Sequence, residues 1–102
     1  MSAELEFEKL IEYIASTYGG VAGQMFGKRC IKVNSKAGIA LFKECLVFKL
    51  PKEAHAEAMD LTGSILWDPS GKDRAMKEWV QITIDHKNRF KEFAKASADY
   101  VG

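Results

Sequence analysis

The densest set of side chains able to bind or react lies between Trp67 and Trp79. Both tryptophans of the chain fall there, with Asp68, Lys72, Asp73, Arg74, Met76, Lys77 and Glu78 among them. Aromatic walls edged by ammonium and guanidinium groups suit an anionic small molecule or peptide. The rings supply contact area, and Lys or Arg supplies a charge-assisted hydrogen bond. Lys49, Trp67, Lys72, Arg74, Lys77 and Trp79 are therefore the candidate ligand-binding residues. The same run has a plainer reading, in which Trp67 and Trp79 pack under the last helix and the charges solvate a turn.

Other chemistry finds less support. A phosphate loop needs GxxxxGK[ST] between a strand and a helix, so that amides and the helix dipole face the phosphate. Ser70-Gly71-Lys72 is followed by Asp73 and then by a strand pattern, so it reads as a polar turn. The two histidines, His55 and His86, form no visible nucleophile–base pair with another residue. Such groups meet in space rather than in sequence, so that observation is suggestive only. Cys30 and Cys45 stand 15 positions apart and outside any CxxC pair. They read as buried free thiols in strands, with a disulfide between them as the alternative, and zinc-ligand spacing is absent. No metal or cofactor is expected.

Charge is spread unevenly. Fifteen Lys and Arg against fourteen Asp and Glu leave a net charge of +1. Residues 1–20 carry −3, residues 27–52 carry +6 and residues 53–102 carry −2. Lys28 and Lys32 share one side of a predicted strand, and with Arg29 they make a candidate basic surface. Such a surface could meet nucleic-acid phosphates or an acidic protein. Lysines also blunt exposed sheet edges against aggregation. No aromatic–basic interleaving of the RNA-binding kind shows in that strand.

The elements that must position these residues follow from periodicity. At 102 residues, 47% apolar and 28% charged, the chain is one ordinary globular domain. Disordered, collagen-like and coiled-coil classes are excluded. Phe7, Leu10, Ile11, Ile14 and Tyr18 mark one face of a helix over 3–18, with Ser2 as N-cap and Gly19-Gly20 as the stop. Alternation predicts strands over 24–34, 37–43 and 45–50, with connections too short for a crossover helix. They should form an antiparallel meander. Pro51 opens a helix over 51–60, Ile65-Leu66-Trp67 is a short strand, and residues 77–83 alternate as a fifth. Asp85 caps a last helix over 86–101 that faces inward with Phe90, Phe93, Ala94, Ser97 and Val101. The expected fold is α+β, in two layers. A five-stranded, mainly antiparallel sheet is covered by helices, with element order α-β-β-β-α-β-β-α.

Met25-Phe26-Gly27, then Leu46-Val47-Phe48-Lys49-Leu50, then Trp67-Asp68-Pro69-Ser70-Gly71 through Met76-Lys77-Glu78-Trp79-Val80, carry a family likeness. In their order and spacing they resemble the TfoX N-terminal domain family, and the YjbR-like family of small bacterial proteins is similar too. The likeness spans about residues 5–101 and implies a single such domain over 1–102. It implies a regulatory or interaction role. One departure is Lys28, which stands where the family pattern has a second glycine.

The N-terminus is acidic and has no apolar core segment, and no stretch approaches the roughly 20 apolar residues of a membrane span. A cytoplasmic, non-enzymatic interaction module is the expectation, with no membrane partner. Its partner would be another protein, a second copy of the chain or, less favoured, nucleic acid. The alternative is a protein or enzyme that takes an anionic small molecule through the Trp67–Trp79 segment.

Overall fold

The computed structural model describes residues 2–72 and 75–102. Helix α1 (Ala3–Tyr18) starts where its sequence says it should. Ser2 is extended, and its hydroxyl oxygen accepts the Leu5 amide at 3.2 Å. That satisfies one of the amides a helix start leaves unpaired. Gly19 ends the helix in the left-handed conformation (φ 70°), which a residue without Cβ adopts freely.

Six strands follow, not five. β1 (Val21–Met25) and β2 (Lys28–Val33) occupy the stretch expected to hold one strand over 24–34. Phe26-Gly27 joins them, both at positive φ (55° and 74°). That is the backbone of a two-residue hairpin turn, whose twist matches its strands. The usual sign of such a turn is Asn-Gly or Asp-Gly. An aromatic residue in the left-handed region conceals it, because bulky side chains seldom go there.

The chain continues through β3 (Lys36–Phe42), β4 (Cys45–Lys49), α2 (Lys52–Met59), β5 (Ile65–Trp67), β6 (Met76–Thr83) and α3 (Phe90–Val101). All neighbouring strands pair antiparallel, in the order β1-β2-β3-β4-β6-β5. The class is α+β, as expected, but the element order is α-β-β-β-β-α-β-β-α. Two helix starts also differ from expectation. Pro51 is the extended residue before α2 rather than its first helical residue. Asp85 does not cap α3; it lies in a 3-10 segment (Ile84–Arg89), kinked at His86, that precedes the helix. His86 Nε2–H donates to the Thr62 carbonyl at 2.8 Å there, which ties this segment to the loop after α2. No helix among the described residues is long and apolar enough to cross a membrane.

The three helices lie on one side of the sheet. Phe7, Leu10 and Ile14 from α1 meet Phe90, Phe93 and Ala94 from α3 over Ile31, Ile39, Leu46, Phe48, Val80 and Ile82. Phe48 sits between the helix rings, 5.7 Å from Phe90 and 6.0 Å from Phe93. The close approach of α3 depends on a bulge in β3. Ile31 faces Ile39 and Lys32 faces Ala37, which leaves Gly38 as an extra residue. Buried Ser97 Oγ–H donates to the Gly38 carbonyl at 2.6 Å.

A Cβ at Gly38 would lie 2.5 Å from Ser97 Oγ and 3.2 Å from Val101 Cγ2. Gly38→Ala should therefore push α3 off the sheet and destabilise the fold by about 1–3 kcal/mol. The measurement is urea unfolding, read as a lower midpoint with an unchanged slope. An unaltered midpoint would mean that α3 does not seat on the bulge.

Candidate functional site

The sheet face turned away from the helices carries an apolar cluster of its own. Cys30, Ala40, Val47, Trp67 and Trp79 are buried in it, with Met25, Ala37, Phe42 and Met76 at its margin. Strand alternation puts them there. Cys30 pairs with Ala40 and Ala40 with Val47, so the three point the same way across β2, β3 and β4. At β5 and β6 the register breaks. Leu66 faces Val80, but Trp67 faces Met76. The extra residues on β6 leave the two tryptophans packed side by side, ring centroids 5.2 Å apart. Phe42 meets Trp67 edge-on at 5.7 Å and 68°, a favoured aromatic geometry.

The tryptophans thus pack, but beneath the open face of the sheet and not under α3. Trp67 is 0% exposed and Trp79 5%. Their surfaces face each other and their neighbours rather than a cavity. The Trp67 indole Nε1–H finds no hydrogen-bond partner among the described residues. A buried donor left unpaired costs about 1–3 kcal/mol.

The remaining candidates scatter. Lys49 is half-buried on β4, where it pairs with Trp79. Lys72 is exposed in the turn after β5. Lys77 is exposed near the start of β6, and its carbonyl accepts from His55 Nε2–H at 2.8 Å. Arg74, like Asp73, lies outside the described residues. Lys28 and Lys32 flank Cys30 on β2 and share its face. Arg29 points to the other side. Its guanidinium lies 5.2 Å over the Phe7 ring and bonds both Glu8 carboxylate oxygens at 3.0 Å. Arg29 belongs to the interface with α1 and not to the basic face, because adjacent residues of a strand point to opposite sides.

Beside the tryptophans the open face holds a cleft of about 410 Å³. Lys28, Phe42, Lys43 and Gln81 line it from the sheet, and Ile65 and the Asp68–Gly71 turn line it from β5. Asp68 Oδ1 accepts from Ser70 N at 3.1 Å, Ser70 Oγ at 2.7 Å and Gly71 N at 3.0 Å. The carboxylate thereby fixes the turn by the Asx mechanism. In the sequence Phe42, Lys43 and Gln81 stand out only as strand residues, with no role in a site. Nothing in local spacing joins β2, the β3–β4 turn and β6, which only the strand order brings together.

Among the described residues lysine predominates on this side, with Asp68 as a carboxylate in the cleft lining. The ion pairs among the described residues are Lys9–Glu6, Arg29 with Glu4 and Glu8, Arg89 with Glu57 and Glu92, and Lys95–Asp99. Lys28, Lys32, Lys43 and Lys49 take part in none of these. The three helices, by contrast, carry net charges of −3, −1 and 0. Compared with known proteins, the chain matches no family model, no curated protein and no solved structure.

Cys30 and Cys45 are both free. Burial pushes the Cys30 thiol up from its ordinary value, with the nearby Lys32 ammonium opposing by less. Only the thiolate attacks disulfide reagents. Cys45 is half-buried, and Gln81 Nε2–H reaches its sulfur at 3.7 Å. An aromatic disulfide reagent should therefore label Cys45 on the native protein and Cys30 only after denaturant is added. Equal native rates at the two sites would show that the open-face cluster is not sealed.

Proposed function

We propose that the chain is a non-enzymatic interaction module and that the open face of its sheet is the working surface. The observation that carries this reading is the set of unpaired lysines on that face. Lys28, Lys32 and Lys49 surround a filled aromatic and thiol cluster, and Lys43 stands at its rim. Holding these like charges close together is unfavourable for the isolated molecule. A partner with complementary charge removes that cost.

The sealed Trp67–Trp79 pair supports the same reading, since the tryptophans stabilise the face rather than open onto it. The resemblance to TfoX N-terminal domains also points to an interaction or regulatory role. Two free thiols fit a reducing compartment, in keeping with a cytoplasmic protein. The partner that suits this face is an acidic protein surface. Lysines are point charges that do not demand the bidentate geometry Arg offers to phosphate, and the one Arg of β2 is already held by α1.

A fluorescent polyglutamate peptide and a single-stranded DNA of equal charge would separate the partner classes by anisotropy. The peptide should bind at low salt and weaken steeply as salt rises through the physiological range. Lys32→Gln/Lys49→Gln should lower its affinity about tenfold. A preference for DNA would redirect the reading to nucleic acid. No binding of either polyanion at low salt, or binding indifferent to the double variant, would overturn it.

A further inference from the structure

The cleft beside Phe42 has features that the rest of the basic face lacks. The Lys28 ammonium lies 5.4 Å from the Phe42 ring centroid and the Lys43 ammonium 5.2 Å from it. Two cations thus share one aromatic ring. The ring's negative faces hold each of them, but the cations repel one another, and neither joins an ion pair among the described residues. Lys43 is held there by an unusual backbone. Its φ is 54°, a left-handed value uncommon for a residue with a long side chain. That conformation follows directly on Phe42 and turns the chain back into β4.

The opposite wall is different. Ile65 is 53% exposed although it is a large apolar residue on the sheet. Pro69 also lines the cleft. Asp68 is the one carboxylate in the lining among the described residues, and its Oδ1 already accepts three hydrogen bonds from its own turn. The cleft volume of about 410 Å³ falls within the range of small-molecule sites. Its lining combines two lysine ammoniums with the apolar side chains of Ile65 and Pro69.

We propose that this cleft binds a small organic anion, its acid group between the Lys28 and Lys43 ammoniums and its apolar body against Ile65 and Pro69. Gln81 also lines the cleft. Such a ligand relieves the repulsion between the lysines and covers Ile65 in the same step. Either half of the ligand alone would do only one of these.

Phenyl phosphate is a suitable probe, with inorganic phosphate and benzyl alcohol as its separate halves. Trp67 touches Phe42, so indole emission should report occupancy. Phenyl phosphate should change that emission saturably and shift the amide resonances of Phe42, Lys43 and Gln81. Inorganic phosphate should bind about tenfold more weakly, and benzyl alcohol should show no saturation. Lys28→Gln/Lys43→Gln should lose about tenfold in affinity, while Lys28→Arg/Lys43→Arg and the distant Lys36→Gln should keep it.

Absence of saturation at roughly 10 mM phenyl phosphate would overturn the proposal. So would full affinity in the Gln pair, or phosphate binding as tightly as phenyl phosphate. Should the Gln pair lose its near-ultraviolet dichroism, the Arg pair and the resonance map on the unaltered protein decide the matter. Polyglutamate binding to Lys32 and Lys49 is measured separately, so failure here leaves that reading standing.

Discussion

A sheet with two apolar faces must hide both, and this chain has helices for one. That constraint governs the molecule. α1 and α3, drawn from opposite ends of the chain, close over Phe48 and its neighbours. The second face is sealed by its own side chains. Trp67, the largest fully buried residue, lies across the cluster of Cys30, Ala40 and Val47 with Trp79 beside it. Small residues at Ala40 and Cys30 leave room for the indoles, so one face is filled by aliphatic groups together with four phenylalanines and the other by two indoles. Burial of an aromatic side chain removes about 150–250 Å² from water, which is how a thin cluster can stand in for a helix layer.

Much of this architecture was legible in the sequence where physics is local. The capping of α1 by Ser2, its end at Gly19 and the inward stripe of α3 all follow from spacing and residue type, and the structure keeps them. The first hairpin was not legible, because Phe26 occupies a backbone position that composition assigns to Asn or Gly. The start of α3 was displaced because Asp85 looks like a cap, while the chain first spends six residues in a tighter helix pinned by His86 and Arg89. The candidate site was legible only in part. Lys28 and Lys32 share a face, as alternation requires. Arg29 does not join them, for the same reason. The residues that line the cleft with Phe42 come from β2, β5, β6 and two turns, and sheet order is a non-local fact.

The two faces differ in chemistry as well as in packing. Acids concentrate in α1 and α2, where Glu8 and Glu57 find arginines from elsewhere in the fold. Exposed pairs of this kind add little stability each, yet they hold Arg29 and Arg89 on the helix side. Among the described residues the cations on the other side are lysines, flexible and strongly hydrated, around an uncharged centre. A filled centre with a charged border resembles the anatomy of transient interfaces, in which the rim steers and the middle fits.

The separation of charge between layers also makes the molecule an electric dipole. A net charge of +1 exerts almost no pull at a distance, but a dipole feels a torque in the field of any charged surface it nears. Diffusional encounters with an acidic surface would then be oriented before contact, sheet face leading and helices trailing. Alignment of this kind changes how often a collision is productive, and so it acts on the association rate. The lifetime of the complex is left to short-range fit.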